Sequence, residues 1–303
     1  MSEIKLLPDA IANQIAAGEV VQRPASVVKE LLENAIDAGS DHIDLIIEDS
    51  GKKLIKLVDN GRGLSEFDIR LAFERHATSK IKGIEDLFKL NSYGFRGEAL
   101  ASIAAVSQVE MQSKQESNDF GNSILIESSE VKNQEPCQCR EGTSISVKNL
   151  FYNTPARKNF LKSNRAEFQN IYDEFVRVAL SYPAVALNFY NGREIIHKLK
   201  PANLKSRIVS LLGKKYESAL VPIEEETPLL KISGFIVKPE LARKKRGEQY
   251  FFVNSRYIRS PYFHHAIKNA YEHILPTDYQ PSYFIYFNLD PAKVDVNVHP
   301  TKT

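Results

Sequence analysis

With 303 residues, 43% of them hydrophobic and 26% charged, the chain has the composition of an ordinary globular protein of roughly two domains. Each is long enough to bury its own core, which excludes a disordered tail or a disulfide-stapled miniprotein. A formal net charge of only +2 means that binding to nucleic acid must be argued from local clusters and not from the total.

The opening "MSEIKLLPDAIANQ" has no apolar run for a signal peptide, and no stretch is long enough for a membrane span, so cytoplasmic residence is expected. Helical periodicity runs over Ala10–Ala17 and again over Ala25–Ala38. In the second helix Val27, Val28, Leu31, Leu32, Ala35, Ile36 and Ala38 fill one arc at 100° per residue. Asn34 falls at the edge of that arc, with Glu30 one turn earlier on the same line. This carboxylate beside a carboxamide is either a solvated helix edge or the wall of a site.

"HIDLIIEDS" and "KKLIKLVDNG" then alternate as paired strands. The second ends in "DNGRG", Asp59 to Gly63, where glycines let the backbone approach a ligand. Asp59, at the strand end, would point under the sheet and need a donor there; an adenine amine would serve, although "DNG" is also a common turn. "LSEFDIRLAFERHA" reads as a helix capped by Ser65. A stretch punctuated by Gly and Ser leads to "GFRGEAL", which enters a helix at about Gly97. Such an entry favours anions through free N–H groups and the helix dipole, and is also an ordinary glycine-rich helix start.

Strands follow at "VSQVEMQS", "NSILIES" and "GTSISVKNL", which look antiparallel. The cysteines, Cys137 and Cys139 in "PCQC", are too few for a zinc site and too close to bridge easily. They are read as free surface thiols of a reducing compartment. Pro155 opens a helix in "FYNTPARKNF", "NFLKSNRAEFQNIYDEFVRVALSY" is mostly helix, and "VALNFYNGREIIHKL" is a hairpin turning at Asn191-Gly192. A boundary is placed near Lys200 to Leu204. Beyond it come a short helix to about Leu212, strands at "LLKISGFIVK", "EQYFFVN" and "PSYFIYFNL", and a helix "PYFHHAIKNAYEHIL". Arg243, Lys244, Lys245 and Arg246, joined by Arg256 and Arg259, form the one basic cluster, either a solvated loop or a nucleic-acid contact. The closing "VDVNVHPTKT" reads as a strand cut short in a longer protein.

"NQIAAGEVVQRPASVVKELLENAIDAGS", "DNGRG", "RHATSKI", "GFRGEALASI", "GTSISVKNLFYNTPARKNF" and "VDVNVHPTK" together resemble the MutL family of DNA mismatch repair proteins over essentially the whole chain. That family lies in the GHKL ATPase superfamily, with gyrase B, Hsp90 and histidine kinases. The resemblance implies an α+β fold. A GHKL (Bergerat) sandwich of mixed β-sheet and helices would occupy residues 1–202, and an α/β domain like the ribosomal S5 domain 2 would occupy 203–303, with the C-terminal dimerisation domain absent.

It also implies roles. Glu30 would be the general base, Asn34 the Mg²⁺ ligand, and Asp59 the acid that reads adenine, with Gly63 in its loop and Thr143 as its hydrogen-bonding neighbour. Thr78, Ser79 and Lys80 on one side, and Gly94, Phe95, Arg96, Gly97, Glu98, Ala99 and Leu100 on the other, would be the arms of a lid over the triphosphate. Lys302 would reach the γ-phosphate from the second domain, and Arg243, Lys244, Lys245, Arg246 and Arg259 would face DNA. The implied cofactors are ATP, Mg²⁺ and a monovalent cation. The implied partners are MutS, DNA, a nuclease or helicase, and a second copy of the chain, with no membrane and with nucleoid association during repair. The expected function is an ATPase switch or clamp that couples slow hydrolysis to N-terminal dimerisation, with no endonuclease encoded in these 303 residues; the alternative is a DNA-binding scaffold that holds ATP without hydrolysing it. A histidine kinase would need a phosphoacceptor helix and another domain order, and the linking motifs disfavour a topoisomerase.

Overall fold

A computed structural model describes residues 9–78, 97–244 and 247–291. These form two compact units: one gathers the described residues up to 78, 97–178 and 185–200, and the other gathers 179–184 and those from 201 onward.

The first unit contains α1 (Asp9–Val20), α2 (Pro24–Asp37), β1 (His42–Glu48), β2 (Leu54–Asp59), α3 (Glu66–Leu71), α4 (Ala99–Ala105), β3 (Gln108–Lys114), β4 (Gly121–Glu127), β5 (Glu130–Cys137), β6 (Gly142–Lys148), α5 (Pro155–Phe160), α6 (Asn164–Ser181), β7 (Ala186–Asn191) and β8 (Glu194–Leu199). Its described strands form one sheet in the order β5-β4-β3-β6-β2-β1-β7-β8. Every neighbouring pair is antiparallel except β1 and β7, which run parallel.

Alternation decides which side of this sheet is the core. Ile43, Leu45 and Ile47 of β1, Ile55 and Leu57 of β2, Ile145 and Val147 of β6, and Val109 and Met111 of β3 are all buried. The register sets them side by side in rows, such as Leu45–Leu57–Ile145–Met111. Helices cover that face. A Cβ on Gly51 would meet Pro24 of α2, Ile171 of α6 and Ile55 of β2 at 2.8, 3.1 and 3.2 Å, so both helices converge on the sheet there. Phe175 of α6 packs its ring 5.0 Å from that of Phe189 on β7, and α4 lies against β3 and β4.

The second unit contains α7 (Leu204–Leu212), β9 (Leu220–Glu226), β10 (Leu230–Val237), β11 (Gln249–Val253), β12 (Arg256–Ile258), α8 (Pro261–Ala270) and β13 (Tyr283–Leu289). Its sheet runs β12-β11-β13-β10-β9, with β11 and β13 parallel. Phe251, Tyr283 and Ile285 form its core, against which Phe263 and Ile267 of α8 pack.

Three strands escape the sequence reading. β5 is a mostly exposed edge strand with no apolar alternation, β9 is written "LVPIEEE", and β12 is only three residues long. Two helices are shorter than read: α3 stops at Leu71 and α8 at Ala270. Cys137 closes β5, and both cysteines are free, as expected, and half-buried.

Candidate functional site

At one end of the core face the apolar columns stop and a polar row takes over. Asp59 continues the buried column Ile55–Leu57 of β2, Thr143 continues Val147–Ile145 of β6, Ser113 continues Val109–Met111 of β3, and Asn122 continues Ile126–Ile124 of β4. The same period of two that faces the isoleucines inward therefore faces these polar groups inward too. Asp59, Ser113 and Asn122 are buried and Thr143 is half-buried. Ser113 Oγ and Thr143 Oγ1 are 2.9 Å apart, and Ser113 Oγ also lies 3.0 Å from the Gly142 carbonyl.

α2 delivers the partner of Asp59. Its Pro24 at the first turn supplies a preset φ, and Val27, Val28, Leu31, Leu32 and Ala35 bury its stripe. It ends in a Schellman turn, with Gly39 at φ 79 and with the Ser40 N–H donating to the Ala35 carbonyl and the Gly39 N–H to that of Ile36 at 3.2 and 2.9 Å. That turn places Ser40, whose hydroxyl donates to Asp59 Oδ1 at 3.0 Å. The Gly61 N–H donates to the same oxygen at 2.8 Å. Burial pushes the Asp59 carboxyl above the usual carboxylate range, against the pull of hydrogen bonds from Gly61, Ser40 and the Thr143 backbone.

The loop after β2 is pinned at both ends. Asn60 Oδ1 accepts from the N–H groups of Asp41 and His42 at 3.1 and 2.9 Å, and the Arg62 N–H donates to Ala38 O at 3.1 Å. The Leu64 N–H reaches Ser113 Oγ at 2.8 Å. Gly63 adopts φ 64, and a Cβ there would stand 2.1 Å from the Lys114 carbonyl. That glycine is required by close backbone approach and by left-handed geometry together.

Glu30 and Asn34 are half-buried on α2, one turn apart as the spacing requires, and Lys29 lies 4.0 Å from Glu33 on the same helix. Elsewhere in the unit the described ends of the two expected lid arms meet. The His76 N–H donates to Gly97 O at 3.1 Å, and Glu98 Oε1 lies 3.8 Å from Arg75 and 3.4 Å from His76. Thr78 is half-buried beside this junction, and Ala99 and Leu100 open α4. Ser79, Lys80, Gly94, Phe95, Arg96, Lys245, Arg246, His299 and Lys302 lie outside the described residues.

In the second unit Lys244 pairs with Asp278 at 3.2 Å and lies 5.7 Å from the centre of the Tyr279 ring. Arg243 exchanges backbone hydrogen bonds with Gln280, and Arg259 is exposed. His264 Nδ1 sits 2.9 Å from the Tyr283 hydroxyl, a packing contact and not a metal ligand. No group of three metal-binding side chains occurs among the described residues.

Reading the sequence missed Ser40, Ser113, Gly142 and Asn122. The last two residues of the row were legible in principle, since Ser113 and Asn122 continue apolar columns at a period of two. Ser40 depends on a turn that brings together positions 19 apart in sequence.

Residues 22–151 match the family model of the histidine kinase-, DNA gyrase B- and HSP90-like ATPases, and residues 208–303 match that of the DNA mismatch repair protein, C-terminal domain. The DNA mismatch repair protein MutL of Bacteroides fragilis is 55% identical over 300 residues, covering 99% of this chain and 48% of that protein. MutL of Flavobacterium psychrophilum is 56% identical over 302 residues, covering 100% of this chain and 49% of that one. This chain belongs to the MutL family.

It spans about half the length of the curated MutL relatives it matches. Among solved structures, the Aquifex aeolicus MutL ATPase domain complexed with ADP aligns with a TM-score of 0.65 and 26% identity, over 90% of this chain and 94% of that one. The N-terminal domain of a DNA repair protein shares the fold with a TM-score of 0.82 at 22% identity, over 95% and 90%. The mixed sheet with helices on its core face is thus the GHKL architecture of the MutL ATPase domains, as the motifs implied.

Proposed function

We propose that this chain is a Mg-ATP-driven switch of DNA mismatch repair, in which the polar row under α2 receives the nucleotide. The observation that carries this reading is Asp59, a carboxylate buried at the end of β2 and held by Ser40 and Gly61. A buried carboxylate is costly until a donor meets it, and the exocyclic amine of adenine is such a donor. Gly63 and Gly142 let backbone line the space beside it, where any Cβ would strike a carbonyl at 2.1 Å. Thr143 and Ser113 supply the adjacent hydroxyls.

The donor set of α2 fits the metal that such a nucleotide carries. Mg²⁺ takes few protein ligands and keeps water and phosphate oxygens, so one side-chain carbonyl, that of Asn34, is sufficient. The bound ion would neutralise phosphate charge. Glu30, one turn away, orients and deprotonates the attacking water. Thr78 to Lys80 and Gly94 to Leu100 hold the triphosphate, and Lys302 supplies a compact positive charge to the γ-phosphate.

On this reading residues 1–202 are the ATP-binding domain and 203–303 the transducer resembling the ribosomal S5 domain 2. Closure of the lid on ATP, with the segment Met1 to Gln22, builds a dimer surface, and Arg243 to Arg246 with Arg259 then face DNA. MutS and a nuclease or helicase are the partners of the whole protein. The reading is tested by steady-state and single-turnover ATP hydrolysis with the parent chain and Glu30→Ala. The variant should retain ATP and lose roughly 10² to 10⁴ in rate. Turnover at the parent rate would remove Glu30 from the base role and leave a scaffold that only holds ATP.

A further inference from the structure

The segment between β6 and α6 is tied more closely to the helices around it than a connector needs to be. Asn149 and Phe151 hold left-handed backbone, at φ 52 and 65, a conformation that a bulky side chain rarely takes and that persists only where its surroundings enforce it. Phe151 is fully buried. Its N–H donates to the Val106 carbonyl at 2.7 Å, and Asn153 Nδ2 donates to that of Ala105 at 2.9 Å. Both carbonyls belong to the C-terminal end of α4, where a helix leaves such groups without helical partners. The segment therefore anchors α4 at the end opposite to Gly97 and Glu98 of the lid arm.

α5 then turns Arg157 onto a second helix. Its Nη2 donates to the Gln14 carbonyl of α1 at 2.7 Å, a mid-helix oxygen with a second lone pair to offer. One turn further along α1, Gly18 leaves room for the same group: a Cβ there would lie 2.3 Å from Nη2 and 3.0 Å from Cζ. Glycine inside a helix weakens it, and here its missing side chain is the notch that the guanidinium fills. α1 also packs directly on α4. Arg157 Nη1 is buried with no hydrogen-bonding partner among the described residues. The contact is thus held by one donor and by packing, which suits a tie that opens and closes better than a fully paired network would.

We propose that Arg157 is a positioning residue of the ATP switch. Through the backbone of residues 149–157 it ties α1 to the anchored end of α4, so that the helix entered at the triphosphate and the helix nearest the N-terminus are placed together. Arg157 acts on α1 and not on the nucleotide. This rests on the reading that ATP closes the lid and that the segment Met1 to Gln22 builds the dimer surface.

Hydrogen–deuterium exchange of the nucleotide-free chain, read on peptides of α1, tests the tie itself. Arg157→Ala should speed exchange in α1 by about tenfold or more, the loss expected for a hydrogen bond to a charged group, while the strands of the sheet exchange as in the parent. Gly18→Ala tells docking from helix propensity. In the Arg157→Ala background it should slow α1 exchange, because alanine favours the helix; in the parent it should speed it, because its Cβ displaces the guanidinium. Unchanged α1 exchange in Arg157→Ala, equally faster exchange throughout the sheet, or the same sign for Gly18→Ala in both backgrounds would overturn the tie. The consequence for the switch is read by sedimentation with a non-hydrolysable ATP analogue. Arg157→Ala should bind the analogue as the parent does and dimerise at least about tenfold more weakly. A parent that stays monomeric with the analogue would refute the dimer reading, and the exchange result alone would then decide the tie; equal dimerisation of parent and variant would overturn the role of Arg157 in the switch.

Discussion

Replacing Asp59 by Asn separates the recognition of adenine from the stability of the fold. Oδ1 of Asp59 is taken up by the Ser40 hydroxyl and the Gly61 N–H at 3.0 and 2.8 Å, and Asn offers the same oxygen to the same two donors. Its amide nitrogen then occupies the place of the second carboxylate oxygen, so a ligand amine meets a donor where it met an acceptor. A hydrogen bond to a charged group contributes about 1.5–3 kcal/mol. At 1.36 kcal/mol per tenfold, Mg-ATP affinity should fall about tenfold to about 150-fold, measured by isothermal titration calorimetry.

Stability should move the other way. Because burial raises the Asp59 pKa in the fold, its contribution is fully present below the ordinary carboxylate value of about 4. It is lost as pH rises through the elevated folded value. Asn cannot ionise, so without nucleotide the variant should melt no lower than the parent at neutral pH, and the difference should shrink on acidification. Unchanged ATP affinity, or an affinity loss matched by a collapse in melting temperature, would refute the recognition role.

Asn34→Ala should weaken Mg-ATP binding while leaving Mg-free nucleotide binding near the parent value, which a titration with and without EDTA distinguishes. Gly63→Ala places a Cβ 2.1 Å from the Lys114 carbonyl at φ 64; the left-handed cost alone, about 1–2 kcal/mol, should lower the melting temperature by about 2–8 °C, and the displaced loop should weaken ATP further. Lys302→Ala should lower turnover while ADP affinity, which involves no γ-phosphate, stays unchanged; equal turnover would exclude Lys302 from catalysis. Lys244→Glu should reduce DNA affinity and flatten its salt dependence, since each phosphate contact contributes about 0.9 to the logarithmic slope; an unchanged slope would return Lys244 to its local pairing with Asp278, 3.2 Å away.

What was legible in the sequence was whatever local periodicity encodes. The stripe of α2, the alternation of β1 and β2, the Asn191-Gly192 hairpin and the helix entry after Gly97 all follow from spacing within one element. Asp59 was found for the same reason, as the polar end of an apolar strand. Its surroundings were legible only in part, because they are set by register. The motif resemblance supplied Thr143, but Ser113 and Asn122 join it only once β2, β6, β3 and β4 are paired, and no motif in any one strand contains that row. β5 and β9 were missed because an exposed edge strand buries little and carries no alternating signal. The two cysteines were noticed, but their shared packing on Gly121 depends on the β4–β5 register and was invisible until the sheet was assembled.

The central claim is that the row beginning at Asp59 reads an amine. The most direct measurement compares the affinity of the parent chain for Mg-ATP with that for the magnesium complex of inosine triphosphate, which carries a keto oxygen where ATP carries the amine. With Asp59 as a buried acceptor, inosine triphosphate loses a charge-assisted hydrogen bond and sets two acceptors against each other, so ATP should bind at least about tenfold more tightly. Equal affinity for the two nucleotides would contradict the assignment.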